Sequence, residues 1–345
     1  MNLVTGASGL LGSHVIIELL KRNAPVRAMV RTAQQQSELQ SLIENYGIAN
    51  SKPDLIEWVT GDVLDIHSLL SCMSGCSHVY HCAAVVSYHS KDRQRMYAVN
   101  VEGTSNVVNV ALELGDVRLC FVSSIAAIGK AKNNDRVDEE TDWVDSSFNT
   151  HYAITKNLAE MEVWRAIQEG MPAVIVNPGL IIGPGDFDRS SGTLFRKLDE
   201  GLGFYPAGGT GFIAAQDVAY IMVSLMEKKI SGERFILVAE NLSMKEIFQS
   251  IAKHLGKPIP QKEATPFILA LARFAEFFRE MFTGKKAMVT KETVKNSSVR
   301  FYYDNNKLKE ALPFEFTPIE NAIAQTAAYY RKKNISLTQF MQSES

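Results

Sequence analysis

Tyr152 and Lys156 stand four residues apart, a spacing that on a helix projects both side chains from one face. A phenol acts as a general acid near neutral pH when a neighbouring ammonium lowers its pKa, so the pair is a candidate proton donor with its activator. The same spacing recurs at Tyr303/Lys307 and Tyr329/Lys333, and position must single out the working pair. Tyr152 starts the helical stretch Tyr152–Glu169, which follows a strand-like run, Leu119–Ser123, that leads into Ser124. In an open parallel sheet, ligands bind beyond the carboxyl ends of the strands, where Ser124 falls. Its hydroxyl is suited to bond a substrate oxygen while Tyr152 exchanges the proton; alternatively it is a strand-end turn serine.

A second constellation lies in Thr5–Gly12, between the strand candidate Met1–Val4 and the amphipathic run Leu10–Leu20. Gly6, Gly9 and Gly12 recur every three residues there. Residues without a Cβ let the chain turn sharply off a strand and offer bare amides to a pyrophosphate. With Ser8, Leu10 and Leu11 they form a candidate dinucleotide cradle. The second strand candidate, Val26–Val30, leads into Arg31-Thr32, with no acidic residue from Arg27 through Ser37. A carboxylate at this point would take the 2′-hydroxyl of NAD, whereas arginine meets the 2′-phosphate of NADP in a contact worth ~1.5–3 kcal/mol. NADP(H) is therefore expected over NAD(H), although the acidic Glu38 follows nearby.

These groups need a scaffold, and the chain supplies one. Short apolar runs at Val26–Val30, Leu55–Thr60, His78–Cys82, Leu119–Ser123 and Val174–Val176 alternate with helical patterns at Gln34–Tyr46, Ile66–Met73, Arg93–Leu114 and Tyr152–Glu169. Such alternation predicts an α/β fold, a parallel sheet with helices on both faces. Past Pro178 the stretch Gly179–Gly211 reads as loops carrying a pocket. Ser243-x-x-Glu246 and Thr317-Pro318-x-Glu320 read as capping boxes at helix starts. The apolar stretch Thr265–Phe282, striped by Arg273, Glu276 and Glu280, is expected to be a core or subunit-contact helix. A substrate lid or a membrane-surface helix are its alternatives.

The 345 residues suffice for one large core or two unequal ones, and 46% hydrophobic with 21% charged residues describes an ordinary globular chain. A net charge of -2 offers no basic field for nucleic acid. No apolar run reaches membrane-spanning length and no signal peptide fits, so a cytoplasmic location is expected. Cys72, Cys76, Cys82 and Cys120, with His78 and His81, invite a metal reading. A strand over Ser77–Cys82 points the two histidines to opposite faces, so interior thiols and no metal site are expected.

Taken together, Thr5–Gly12, Ser124 followed by Gly129, Tyr152/Lys156 and Asn177-Pro178-Gly179 resemble the extended short-chain dehydrogenase/reductases of the NAD-dependent epimerase/dehydratase-like superfamily. The chain is most similar to their dihydroflavonol-reductase and 3β-hydroxysteroid-dehydrogenase branch. The resemblance continues through Gly61-Asp62-Val63, Asn100-Val-Glu-Gly-Thr104 and Asp217-Val-Ala219, and is weakest across Glu263–Val299. It implies a Rossmann-type doubly wound sheet over residues 1–178, with 212–240 returning to it. A smaller, mostly helical substrate-binding region would comprise 179–211 and 241–345. It also implies that Tyr152 is the acid/base, that Lys156 lowers its pKa and binds the nicotinamide ribose, that Ser124 orients the substrate oxygen, and that Asn100 supports the proton relay. Asp62 and Val63 would flank the adenine, Ala83 and Ala84 the middle of the cofactor, and Pro178, Gly179 and Leu180 the nicotinamide. A homodimer through Arg93–Leu114 and Tyr152–Glu169 would follow, although the pattern also fits a monomer.

Nucleotide-sugar dehydratases of this superfamily place an Asp-Glu pair after the active-site hydroxyl residue, whereas Ser124 precedes Ile125-Ala126. Its sugar epimerases carry an Arg-rich, Phe-Asn segment where this chain reads Val176-Asn177-Pro178-Gly179. The expectation is hydride transfer between NADP(H) and a ketone, aldehyde or secondary alcohol. Phe187, Phe195, Phe204 and Tyr205 hint at an apolar or aromatic small-molecule ligand, though aromatics also fill cores. Two other readings stand beside it. An NAD(P)-dependent epimerase would invert a nucleotide sugar without net cofactor oxidation, and a non-catalytic NADP-binding sensor would bind NADPH and leave carbonyls unchanged.

Overall fold

The computed structural model describes residues 1–48, 53–129, 136–146, 149–265, 268 and 299–343. In chain order the first strands are β1 (Asn2–Thr5), β2 (Val26–Val30), β3 (Ile56–Thr60), β4 (His78–His81), β5 (Arg118–Val122) and β6 (Ala173–Pro178). They are followed by β7 (Leu180–Ile182), β8 (Phe204–Tyr205), β9 (Gly209–Ala214), β10 (Glu233–Leu237), β11 (Glu240–Ser243) and β12 (Lys262–Glu263). Seven of them form one parallel sheet in the order β10-β6-β5-β4-β1-β2-β3, the doubly wound arrangement expected. A three-stranded sheet, β11-β9-β7, and a two-stranded one, β12-β8, lie outside it.

Period-two alternation builds two cores from these strands. Val4 and Cys120 face a core shared with α1 (Leu10–Lys21), α2 (Ala33–Asn45) and α8 (Ala215–Glu227). Their neighbours Leu3, Leu119 and Phe121 face the opposite core, shared with α3 (Ile66–Met73), α5 (Gly103–Leu114) and α6 (His151–Gln168). β6 is buried at every residue, as a parallel strand covered on both faces must be. A third core joins α7 (Gly192–Asp199), α9 (Met244–Leu255) and the C-terminal helix Ile319–Ser343.

Some expectations are corrected. Arg93–Leu114 is not one helix: α4 (Arg93–Tyr97) passes through a π-helical turn, Ala98–Glu102, before α5. That turn brings Asn100 inward, where its side chain bonds Val85. β10 was hidden because its first two residues, Glu233 and Arg234, are charged. The Ser243–Glu246 capping box is present, with Ser243 Oγ accepting from Glu246 N at 3.2 Å and Glu246 Oε2 accepting from Ser243 N at 2.8 Å. The Thr317–Glu320 box is not. Thr317 donates instead to Asp217 from both N and Oγ1 at 2.7 Å, and Glu320 turns to Ser250 and His254. Phe187, Phe195 and Tyr205 belong to the third core, with Phe187 edge-on to Tyr330 at 4.7 Å, so they do not line an open ligand site. Of the expected apolar helix Thr265–Phe282, residues 266–267 and 269–282 lie outside the described residues. No helix among the described residues is long and apolar enough to cross a membrane.

The tightest constraint sits at the first turn. A Cβ on Gly12 would lie 2.2 Å from the Gly6 carbonyl oxygen, a backbone atom that cannot step aside. Gly12→Ala is expected to lower stability by about 1–3 kcal/mol, the usual range for an overpacked site. Denaturant unfolding of the two proteins measures it, and an unchanged midpoint would refute this account of the turn.

Candidate active site

The strand order reverses between β1 and β4, which pair in register with Thr5 opposite His81. Such a switch point opens a crevice at the carboxyl edge of a parallel sheet. The glycine turn lies in it: Gly6 adopts φ +64°, and a Cβ there would lie 2.7 Å from Ala83 N. Gly9 caps α1 without a side-chain bond, and the first turn carries no acidic residue. The amides there, at Leu10, Leu11 and Gly12, lack intrahelical acceptors and present a partial positive charge. Half-buried Ser8 sits within this turn. A cradle that excludes any Cβ and ends in uncapped amides fits a dinucleotide pyrophosphate.

Three strands along the same edge carry the other predicted residues. Ser124 follows β5, and its Oγ accepts from Ala126 N at 3.1 Å, leaving the hydroxyl proton for another partner. The Tyr152 phenol is close enough to that side chain to be lowered by it. α6 starts at a Thr150 cap, whose Oγ1 accepts from Ala153 N at 3.0 Å, and this sets Tyr152 in the first turn and Lys156 one turn later. Lys156 is 1% exposed, and its Nζ donates to Val122 O at 2.7 Å while lying 4.5 Å from the Phe121 ring centre.

The electrostatics differ from the sequence expectation. Burial and the neighbouring Tyr88 push the Tyr152 phenol up, against a lowering by the Ser124 bond. Lys156 is not among the influences on that phenol; its Nζ donates to the Val122 carbonyl. Burial in turn lowers Lys156 to about 8, opposed first by Glu160 and then by Cys82. The expected acidification of the phenol by the lysine is therefore not present in this geometry.

Asn100 is 1% exposed and pins the loop after β4. Its Oδ1 accepts from Val85 N at 2.7 Å, and its Nδ2 donates to Val85 O and Thr155 Oγ1, both at 3.0 Å. A buried polar chain connects it to the glycine turn, and the donors fix its direction. Thr104 Oγ1 spends its proton on Asn100 O at 2.6 Å, so His81 Nε2 must donate to Thr104 Oγ1 at 3.0 Å. His81 Nδ1 is then bare and accepts from Thr5 Oγ1 at 2.7 Å, and Thr5 Oγ1 accepts from Ala83 N at 3.3 Å. The chain requires a neutral imidazole. Burial, with a smaller push from Lys156, lowers His81 to about 3.

The remaining predicted residues line the same edge. Asp62 follows β3, with its Oδ1 accepting from Leu64 N at 3.0 Å, while the Val63 side chain is buried against Gly103. Ala83 and Ala84 follow β4, and Ala83 touches the Gly6 turn. Pro178 ends β6, Leu180 begins β7, and Gly179 between them has no room for a Cβ, which would meet Gly211 O at 2.4 Å. Arg31 is exposed at the end of β2. Sequence reasoning missed His81 as a linker, because period two showed only that it faced inward. It also missed Glu160 and Tyr88; the first was visible only as the residue one turn beyond Lys156.

This sheet order, with a glycine turn at its switch point and a Tyr-x-x-x-Lys helix beside it, defines a Rossmann-type dinucleotide-binding protein. Residues 2–238 match the NAD dependent epimerase/dehydratase family, and the chain belongs to that family, within its extended short-chain dehydrogenase/reductase branch. It is 31% identical to "Putative dihydroflavonol 4-reductase" of Synechocystis sp., over 97% of this chain and 96% of the relative. It is 29% identical to sterol demethylase protein B of Methylococcus capsulatus, over 96% and 99%. Cinnamoyl-CoA reductase 1 of Petunia hybrida is 28% identical, over 96% and 92%. Among solved structures, gox2253 has a TM-score of 0.78 at 28% identity, covering 96% of this chain and 98% of that one. WbmH of Bordetella bronchiseptica, solved with NAD+, shares the fold at a TM-score of 0.73 and 20% identity, over 96% and 98%. The protein is an enzyme of this superfamily with reductase homologues.

Two buried histidines set a pH dependence. His81, at about 3, and His14, lowered by burial to about 4, both lie below the ordinary value of 6.5, so the unfolded chain takes up their protons first. Their contribution to stability is complete above pH 6.5 and is lost as pH falls toward 4. At pH 5 each is expected to cost about 2 kcal/mol. Urea unfolding at pH 7 and pH 5 checks this; equal free energies at the two values would contradict it.

Proposed function

We propose that this enzyme uses NADP(H) to reduce a ketone or aldehyde, or to oxidise the matching secondary alcohol, on an apolar or aromatic small molecule. One observation carries the reading: the Tyr152 phenol is brought beside the Ser124 side chain at the carboxyl edge of the sheet, one helical turn from a buried lysine. Bound NADPH supplies the hydride that adds to the carbonyl carbon. Tyr152 gives its phenolic proton to the carbonyl oxygen, and Ser124 holds that oxygen by a hydrogen bond. Lys156, one helical turn further along α6, is protonated below about pH 8. Gly6, Gly9 and Gly12 with the amides after them hold the pyrophosphate, Asp62 the adenine side, and Pro178 to Leu180 the nicotinamide side.

The preference for NADP(H) rests on Arg31, exposed at the end of β2 and followed by the Thr32 cap of α2, whose first turn has no carboxylate. The nearby Glu38 is tied to Gln34 at 3.0 Å. The apolar substrate is supported by Val86 and Tyr88, which are 46% and 41% exposed on the loop that Asn100 pins. Tyr88 stands edge-on to Tyr152 at 6.4 Å. Relatives named for a dihydroflavonol, a sterol and cinnamoyl-CoA point the same way. A homodimer through α4, α5 and α6, in the cytoplasm, completes the proposal. Tyr97, Ile154 and Met161 are exposed on those helices.

Tyr152→Phe is expected to cut carbonyl reduction about 10²–10⁴-fold, the usual contribution of a positioned acid, while NADPH affinity stays within about twofold. Near-normal turnover in that variant would overturn the mechanism, and NADPH binding without turnover across a carbonyl panel would make the wild-type protein a sensor. Arg31→Ala should weaken NADPH about ten- to a hundredfold and leave NADH binding unchanged, read by nicotinamide fluorescence. Equal losses for both cofactors would remove the case for NADP.

A further inference from the structure

Glu160 lies one turn beyond Lys156 on α6 and is 2% exposed. Its carboxylate is surrounded by donors. Oε2 accepts from Ser123 Oγ at 2.5 Å and Asn177 Nδ2 at 2.9 Å, and Oε1 accepts from Arg234 Nη1 at 3.1 Å and Trp164 Nε1 at 3.3 Å. A carboxylate offers about four acceptor directions, and all are used. Arg234 is its salt-bridge partner. The remaining Arg234 nitrogens hold the Glu139 carbonyl, while the Glu139 carboxylate takes Ile236 N at 2.7 Å.

The donors come from the end of β5, from β6 and from β10, so one side chain of α6 grips three adjacent strands. Asn177 Nδ2 also donates to Ser124 O at 3.0 Å. Its amide cannot turn over without setting its oxygen against both acceptors, and Asn177 Oδ1 remains buried and unpartnered as a result. The grip thus reaches the backbone of Ser124 itself. A buried ion pair adds little net stability on average, so a role in the fold alone explains this convergence poorly.

We propose that Glu160 is a positioning residue for the reaction: through Ser123 and Asn177 it keeps the Ser124 hydroxyl in register with Tyr152. The proposal rests on the reductase reading for the proton transfer these groups serve. The titratable groups that act on the Lys156 ammonium or are acted on by it are Glu160 on α6, His81 at the end of β4 and Cys82 just after it. Arg234 on β10 is paired with Glu160. His81 stays neutral and burial holds the Cys82 thiol up, so Glu160 is the one anion in this set. It is also the largest influence opposing the desolvation of Lys156.

Glu160→Gln removes the charge and sets an amide donor among donors. In the full-length protein labelled with ¹³Cε-lysine, with Lys156→Met to assign the signal, the Lys156 titration is expected to fall by about one pH unit or more. The alkaline limb of kcat/KM should move down with it, and kcat should drop about tenfold with KM within about threefold. Glu160→Asp should restore the Lys156 titration while kcat stays reduced, because the shorter arm loosens Ser123 and Asn177. A folded Glu160→Gln protein with the wild-type titration and pH profile, changed only in melting temperature, would overturn the proposal. Should that variant not fold, Ser123→Ala cuts one bond of the grip and keeps the charge. Lower kcat at an unchanged Lys156 titration supports the positioning role, and unchanged kcat refutes it. The titration needs no turnover, so Glu160 can fail this test while the reductase reading stands, and the reverse.

Discussion

The active edge of this protein depends on an ammonium group held inside it. A buried, unpaired charge would cost several kcal/mol, more than most folds tolerate. Lys156 is kept by the Val122 carbonyl at 2.7 Å, the Phe121 ring at 4.5 Å and the Glu160 carboxylate one turn away. Val122 is the last residue of β5, and a carbonyl there is released from the ladder because the strand stops. The stop produces Ser123 and Ser124, one facing Glu160 and the other Tyr152. Where β5 ends therefore decides where the lysine, the serine and the phenol meet.

The crevice beside them is tied to the same edge by polar groups with no water between them. Thr5, His81, Thr104 and Asn100 carry one direction of hydrogen bonding from the glycine turn to the loop after β4. On the other side, Glu160 joins the ends of β5, β6 and β10. Such chains are costly when incomplete and rigid when complete, which suits the fixed geometry that the reductase reading requires.

Local chemistry was legible in the sequence where one residue type has one backbone use. Gly6 and Gly12 answer to close approaches of 2.7 and 2.2 Å that a Cβ would block, so their spacing alone placed the turn. Tyr152 and Lys156 were legible for the same reason, since helical spacing puts them on one face. The aromatics were not, because Phe187 and Phe195 serve a core as well as they would a pocket, and only packing against the C-terminal helix decides between them. His81, Glu160 and Tyr88 were hidden because their partners lie far away in sequence: His81 meets Thr5 across 76 positions, and Glu160 meets Arg234 across 74. The Thr317 box failed on the same principle, its cap captured by Asp217 from a distant helix.

Burial moves the two reacting groups in opposite senses, with consequences for the direction of the reaction. The Tyr152 phenol is pushed up and stays protonated at neutral pH, while Lys156 is drawn down to about 8. Under the reductase reading, the proton donor is already in the form that reduction needs, and the alkoxide produced by hydride addition is a strong enough base to take its proton. Oxidation needs the phenolate instead, which burial and the adjacent Tyr88 ring disfavour. Burial thus leaves Tyr152 in its acid form, the form that the reductase reading asks of a proton donor.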